Sequence, residues 1–446
     1  MEPHSISRKG FIKSSSMLLA AGAGILRSPS SPAVGEQKCP PIAKKSLTLK
    51  NVRLETGFEY EDDEVIHTKT ELFCLEIQDG KIKAILPNKP DTRAIDAKGF
   101  LMLPAFRDMH IHLDKTFYGL PWKAKSTKYR SVKDMIAYEQ QILPELLKNS
   151  IPRSEKLIEL LQSHGTNYAR SHVNIDPTSG LHSLMNLQKA LENKKDSFYA
   201  ELVAFPQHGI YYTKSAELMK EAAGMDIDFI GGLDPTVVDG SIEKHIDFIV
   251  QLALDKNKGI DIHLHEGGES GIKTINYLIE KAIENPALKG KTFVSHAFAL
   301  AHIDKNKTEE MAEQLAQARV GIASTIPFGG TIMPIPVLFK HGVDVVTGND
   351  SIMDWWSTFG TGSVLQKANL AAQLYGYRTE YDLSRILKLA THDVLPLDAN
   401  GNQVWPKPGD QADVVLIDAS CSAEAVSRVS PVKSLIHQGK IVFQNQ

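Results

Sequence analysis

The chain has 446 residues, 42% of them hydrophobic and 23% charged, with a formal net charge of −3. This is the make-up of a globular protein with a sizeable core, and the length favours one large domain with a smaller one. The slight negative charge and the lack of any long Lys/Arg cluster argue against a nucleic-acid partner.

The N-terminus differs from the rest. Ser7-Arg8-Lys9-Gly10-Phe11-Ile12-Lys13 precedes an apolar run from Met17 to Ile25 and a Pro/Ser-rich stretch from Arg27 to Pro32. A basic head, a short apolar middle and breaking residues read as a signal peptide over residues 1–35, and the run is shorter than the ~20 residues of a membrane span. The basic segment is similar to a twin-arginine export signal with Lys9 in place of the second arginine, which leaves the general secretion route open. The expectation is a protein of the bacterial periplasm without a stable membrane span, or a cytoplasmic one if the segment is no signal. Cys39 follows Glu36-Gln37-Lys38 and not a small apolar lipobox, so no lipid anchor is expected. Cys39, Cys74 and Cys421 form no paired framework and are expected as free thiols.

Residues 46–103 are rich in strand signals. Leu72 to Ile77, the turn Asp79-Gly80, and Lys81 to Leu86 predict a hairpin. The C-terminus repeats the pattern, with a buried strand from Ala412 to Ile417 and a hairpin over Leu435 to Phe443. Both ends, 46–103 and 396–446, are therefore expected to build one small β-sandwich domain. In the middle, 104–395, short apolar runs alternate with amphipathic stretches. Strands are predicted at Met102–His112, Asn167–Asn174, Tyr199–Phe205, Asp228–Leu233, Ile260–His265, Thr292–His296, Val320–Thr325 and Val343–Gly348. Helical patterns between them include Leu181–Lys194, Ile242–Asp255, Ser270–Ile283, Glu309–Ala318 and Tyr381–Ala390. Eight such units in an α/β chain predict a (β/α)8 barrel of the TIM type in preference to an open doubly wound sheet, because polar residues terminate many of the strands.

Those polar ends carry the chemistry. His110 and His112 end the first barrel strand, and period-two alternation puts both imidazoles on one face. His263 and His265 end the fifth strand on a shared face, and spacing alone does not choose between them as a ligand. Glu266 follows at the rim, placed to move protons; His296 ends the sixth strand, placed to bond a hydroxide or a substrate oxygen. Asp350 follows the eighth strand, where it would complete a coordination shell or cap a helix. Three imidazoles and one carboxylate suit a single divalent cation, which makes hydroxide available near neutral pH.

Leu103-Pro104-Ala105-Phe106 with His110-Ile111-His112-Leu113-Asp114, His263-Leu264-His265-Glu266, Ser295-His296-Ala297, Gly348-Asn349-Asp350 with Asp354 and Trp356, and Ala204-Phe205-Pro206-Gln207 together resemble the amidohydrolase superfamily, in its cytosine deaminase-like branch. The resemblance covers nearly the whole chain after residue 46. It implies His110, His112, His263 and Asp350 as ligands of one Zn²⁺ or Fe²⁺, Glu266 as proton shuttle, and His296 as the group that positions hydroxide. It also implies Gln207 against the heterocycle, with Trp356 as an apolar wall. The fourth-strand region Phe229–Asp234 has no lysine to become a bridging carbamate, which implies a mononuclear site. Ser351 stands where cytosine deaminases often carry a second aspartate, and Lys115 is reminiscent of relatives that hydrolyse substituted triazines such as N-isopropylammelide. The expected function is release of ammonia or an amine from a small nitrogen heterocycle. Cleavage of a cyclic or linear amide is an alternative, as is a non-catalytic periplasmic ligand-binding barrel. Substrate, native metal and any homo-oligomer stay open.

Overall fold

The computed structural model describes residues 46–126, 128, 131–326 and 329–445, so the signal-like segment and Cys39 lie outside the described residues. The chain opens with β1 (Ser46–Glu61), β2 (Glu64–Gln78), β3 (Lys81–Pro87), β4 (Ile95–Asp96) and β5 (Leu101–Pro104). Asp79 and Gly80 join β2 to β3 with φ of 52° and 76°, the left-handed pair that a two-residue hairpin turn requires.

The apolar run expected as one strand from Met102 to His112 is two strands. Pro104, which has no N–H to extend a ladder, ends β5, and β6 (Phe106–Ile111) begins the barrel. The remaining barrel strands are β7 (Thr166–Asn174), β8 (Tyr199–Phe205), β9 (Phe229–Leu233), β10 (Gly259–Leu264), β11 (Thr292–His296), β12 (Val320–Ser324) and β13 (Val345–Thr347). Each pairs in parallel with the next. The seam between last and first strand closes at one residue: the Asp350 amide donates to the His110 carbonyl at 2.7 Å, and the His112 amide to the Asp350 carbonyl at 3.3 Å. Gly348 makes that approach feasible, since a Cβ there would stand 2.3 Å from the His110 carbonyl oxygen.

The chain ends with β14 (Val414–Ile417), β15 (Val432–His437) and β16 (Lys440–Gln444), which join the first sheet through antiparallel pairing of β14 with β5. That sheet curls until β3 meets the 410–412 segment, where the Ile82 amide donates to the Asp410 carbonyl at 2.9 Å and the Ala412 amide to the Gly80 carbonyl at 2.8 Å. Between its layers lies a core of Leu49, Leu54, Leu75, Ile82, Met102, Val414 and Ile436, drawn from both chain ends. Cys74 and Cys421 are free and buried.

Most predicted helices are present with shifted ends; His182–Lys194, Ile242–Lys256 and Gly268–Glu284 are examples. The pattern expected from Glu309 starts earlier, at Lys305, because the Asp304 carboxylate accepts from the Lys307 amide at 3.0 Å and caps the turn. Tyr381–Ala390 is divided into Glu380–Ile386 and Lys388–Thr391. A helical hairpin, α1 (Val132–Leu147) and α2 (Ser150–Ser163), follows the first barrel strand and was not anticipated. No helix among the described residues is long and apolar enough to cross a membrane.

Candidate metal centre

The barrel interior below the mouth is charged. Arg170 on β7 is 3% exposed, stacks 4.1 and 4.3 Å from the ring centroids of Phe229 and Phe293, and pairs with Glu201 at 2.8 Å and Asp261 at 3.1 Å. Above it the imidazoles gather. His110, His112 and His263 are buried, and their ring centroids lie 4.6 to 5.8 Å apart.

The outer nitrogen of His112 fixes the position of its proton. His112 Nδ1 faces the His172 carbonyl oxygen at 3.1 Å, and a carbonyl can only accept, so His112 carries its proton on Nδ1 and leaves a lone pair on Nε2. That Nε2 lies 3.3 Å from Asp350 Oδ1 and 3.4 Å from His263 Nε2, and His110 Nε2 lies 3.5 Å from the same carboxylate oxygen. Burial first and the nearby Lys115 second push His112 down to about 4. His263 and His296 are also held well below the usual imidazole range, by burial and then by neighbouring imidazoles. Burial raises Asp350, but its contacts with His110 and His112 outweigh that and keep the carboxyl well below the carboxylate range.

The neutral imidazoles of His112, His263 and His296 thus gather around an ionised carboxylate, an arrangement that calls for a cation. The donor atoms of His110, His263, His296 and Asp350 all lie within 4.8 Å of one another, with His112 against two of them. The set fits a divalent metal of the kind that takes imidazole and carboxylate ligands. His110, His172 and Asp261 are a second compact group of donors. The Arg170 guanidinium already occupies Asp261 Oδ2 at 3.1 Å, so a second cation there would meet a fixed positive charge.

The ambiguity between His263 and His265 has a structural answer. His263 faces His112, whereas His265 Nδ1 is engaged by Asp234 at 2.9 Å. Asp234, at the end of β9, also accepts from the backbone amides of His265 at 2.6 Å and Glu266 at 3.2 Å. Glu266 is 5% exposed; its Oε1 accepts from the amides of Thr236 at 2.7 Å and Val237 at 2.9 Å, while Oε2 is buried without a hydrogen-bond partner among the described residues. The backbone is strained around the mouth: Asp234, His296 and Asp350 have φ of 36°, 69° and 61°.

The other predicted residues lie close together on one side. The buried Lys115 Nζ donates to Gln207 Oε1 and stands 5.8 Å from the Trp356 ring and 5.9 Å from Phe205. The Ser351 hydroxyl bonds Asp354, whose carboxyl burial raises to about 6. Behind Lys115, Glu139 from α1 takes hydrogen bonds from Asn174 at 2.8 Å and Trp356 at 3.2 Å, and His208 lies 3.5 Å from it. Sequence reading missed Glu139, His208 and His172. The last is fully buried with its ring 4.3 Å from His110, and neither nitrogen has a hydrogen-bond partner among the described residues. Its signal was the run of three polar residues, Arg170-Ser171-His172, in the middle of a strand.

A family model described as amidohydrolase family matches residues 93–443. The uncharacterised protein YahJ of Escherichia coli K12 is 52% identical over 400 residues, 89% of this chain and 87% of that one. N-isopropylammelide isopropyl amidohydrolase of Pseudomonas sp. strain ADP is 29% identical over 363 residues, 79% of this chain and 88% of that one. The crystal structure of N-isopropylammelide isopropylaminohydrolase from Burkholderia multivorans superimposes with a TM-score of 0.78 at 27% identity, covering 90% of this chain and 98% of that one.

Proposed function

This chain belongs to the amidohydrolase family and is a hydrolase of carbon–nitrogen bonds; from that premise we propose that it releases ammonia or an amine from a nitrogen heterocycle and leaves the ring intact. The observation that carries this reading is the gathering of the His110, His112 and His263 ring nitrogens around Asp350, at a mouth where Glu266 Oε2 has no hydrogen-bond partner among the described residues.

His110, His112, His263 and Asp350 would hold one Zn²⁺ or Fe²⁺. Such an ion supplies water acidified from a pKa of ~16 toward ~7. Glu266 accepts the water proton at Oε2 and returns it to the leaving nitrogen, while Oε1 stays locked by two amides. His296, at the strained end of β11, bonds the oxygen that adds to the ring carbon. Gln207 orients the ring by hydrogen bonding, Trp356 covers its face, and Ser351 offers a hydroxyl at the ring edge. Lys115, between Gln207 and Trp356, favours rings whose oxo groups carry negative charge, which agrees with the N-isopropylammelide in the names of two relatives.

The test is a screen of the metal-loaded protein against cytosine, isocytosine, ammelide, N-isopropylammelide, creatinine and pterins. Ammonia or amine release with an intact ring supports the proposal. A ring-opened product would move the activity to amide cleavage, and tight binding without consumption would make the protein a ligand-binding barrel. The basic-then-apolar N-terminus supports export to the periplasm; N-terminal sequencing of secreted material checks it, and an uncleaved cytoplasmic product contradicts it.

A further inference from the structure

We infer that Arg170, Asp261 and Ser295 are positioning residues that set which ring nitrogen of His110 carries the proton, and so whether His110 can bind a cation. The inference rests on the metal-binding part of the reading above.

Asp261 Oδ2 accepts from Arg170 Nη1 at 3.1 Å, and its Oδ1 accepts from the Ser295 hydroxyl at 2.6 Å. A carboxylate only accepts, so the Ser295 proton is committed to Asp261. Ser295 Oγ also lies 2.9 Å from His110 Nδ1. With its proton spent, that oxygen can act only as an acceptor there, so His110 donates from Nδ1. The lone pair is then on Nε2, which faces Asp350 Oδ1 at 3.5 Å. The direction of the whole chain is imposed from below. Arg170 has no acceptor capacity, is wedged between the Phe229 and Phe293 rings, and is held a second time by Glu201 at 2.8 Å. All four side chains in the chain are buried. Partners that orient a metal-binding imidazole typically contribute 10- to 100-fold in affinity.

Asp261→Asn separates direction from mere contact. Arg170 still demands an oxygen, so the amide of the variant turns its NH₂ toward Ser295. The hydroxyl then has to accept from the amide and donate to His110 Nδ1, which places the imidazole proton on Nε2 and blocks the ligand lone pair.

The full-length protein, stripped of metal, is titrated with Zn²⁺ against a chelating dye, and His110 is observed by ¹⁵N NMR in the stripped state. Wild type should show a protonated Nδ1. Asp261→Asn should shift the proton to Nε2 and weaken Zn²⁺ binding by about 10- to 100-fold. Ser295→Ala, which removes a single oxygen, should weaken binding in the same range, and Ser295→Thr should restore most of it. Ser295→Ala alone keeps the test decisive if Asp261→Asn does not fold. Wild-type Zn²⁺ affinity in a folded Ser295→Ala protein, or a wild-type His110 that protonates Nε2, overturns the inference. Zn²⁺ affinities that follow this order in a protein inactive on every heterocycle would leave it standing while the proposed function falls.

Discussion

At the scale of single residues, the two oxygens of Glu266 have separate tasks in the proposed mechanism. Oε1 is tied to the amides of Thr236 and Val237, and Oε2, which has no hydrogen-bond partner among the described residues, would carry the proton. Glu266→Gln keeps the shape and one acceptor oxygen but cannot ionise. It should retain metal and lose about 10²- to 10⁴-fold in kcat. Metal content by mass spectrometry and steady-state kinetics check this, and near-normal turnover in the metal-replete variant would contradict the shuttle. Much of this cluster was legible in the sequence because period-two alternation puts His110 and His112 on one face and polar residues at strand ends on one rim. The same rule could not separate His263 from His265. Asp234 does, from a neighbouring strand, and no local spacing shows that contact. His172 was hidden for the opposite reason: a histidine inside a buried strand reads as core until its neighbours are known.

At the scale of elements, α1 is pinned over the barrel mouth by one side chain. Glu139 is fully buried, faces Lys115, and joins α1 to Asn174 on β7, to Trp356 and to His208. Burial raises its carboxyl, but Lys115 and His208 outweigh that and hold it at about 2. Burial lowers His208, and Asp176 and Glu139 outweigh that in turn and lift it to about 9. A depressed carboxylate contributes stability that is present above its unfolded value and lost as pH falls toward 2. A raised histidine contributes stability that is full below its unfolded value and lost as pH rises through 9. The pair should therefore stabilise most between about pH 4.5 and 6.5. Glu139→Gln removes the carboxylate that faces the buried Lys115 and one of the two that flank His208, with Asp176 remaining; it should cost about 3–5 kcal/mol, raise KM more than it lowers kcat, flatten the dependence on the acid side and weaken it on the alkaline side. Urea unfolding across pH checks it; an unchanged profile would contradict the role. The helical hairpin itself was not read from the sequence. Its apolar face packs on the barrel flank, and the residue that matters in it is a glutamate, which a pattern of apolar spacing passes over. The divided first strand escaped for a similar reason. Leu101 to Phe106 is apolar without a break across the boundary, and the pairing of β5 with β14 assigns β5 to the sandwich.

At the scale of the whole molecule, strand–helix alternation was enough to give the barrel, and matching β-rich ends were enough to give a second sheet shared by both termini. The point of closure was not legible. Asp350 bonds through its backbone to His110 and His112 and, through its carboxylate, faces the Nε2 atoms of the same two residues. The seam that closes the barrel thus also sets Asp350 against His110 and His112, three of the four residues proposed to hold the ion. Anomalous diffraction from crystals of the Zn²⁺-loaded protein tests this most directly. The account predicts a single peak about 2.0–2.2 Å from ring nitrogens of His110, His112 and His263 and from the Asp350 carboxylate; two peaks at the mouth, or one peak bound by other side chains, would contradict it.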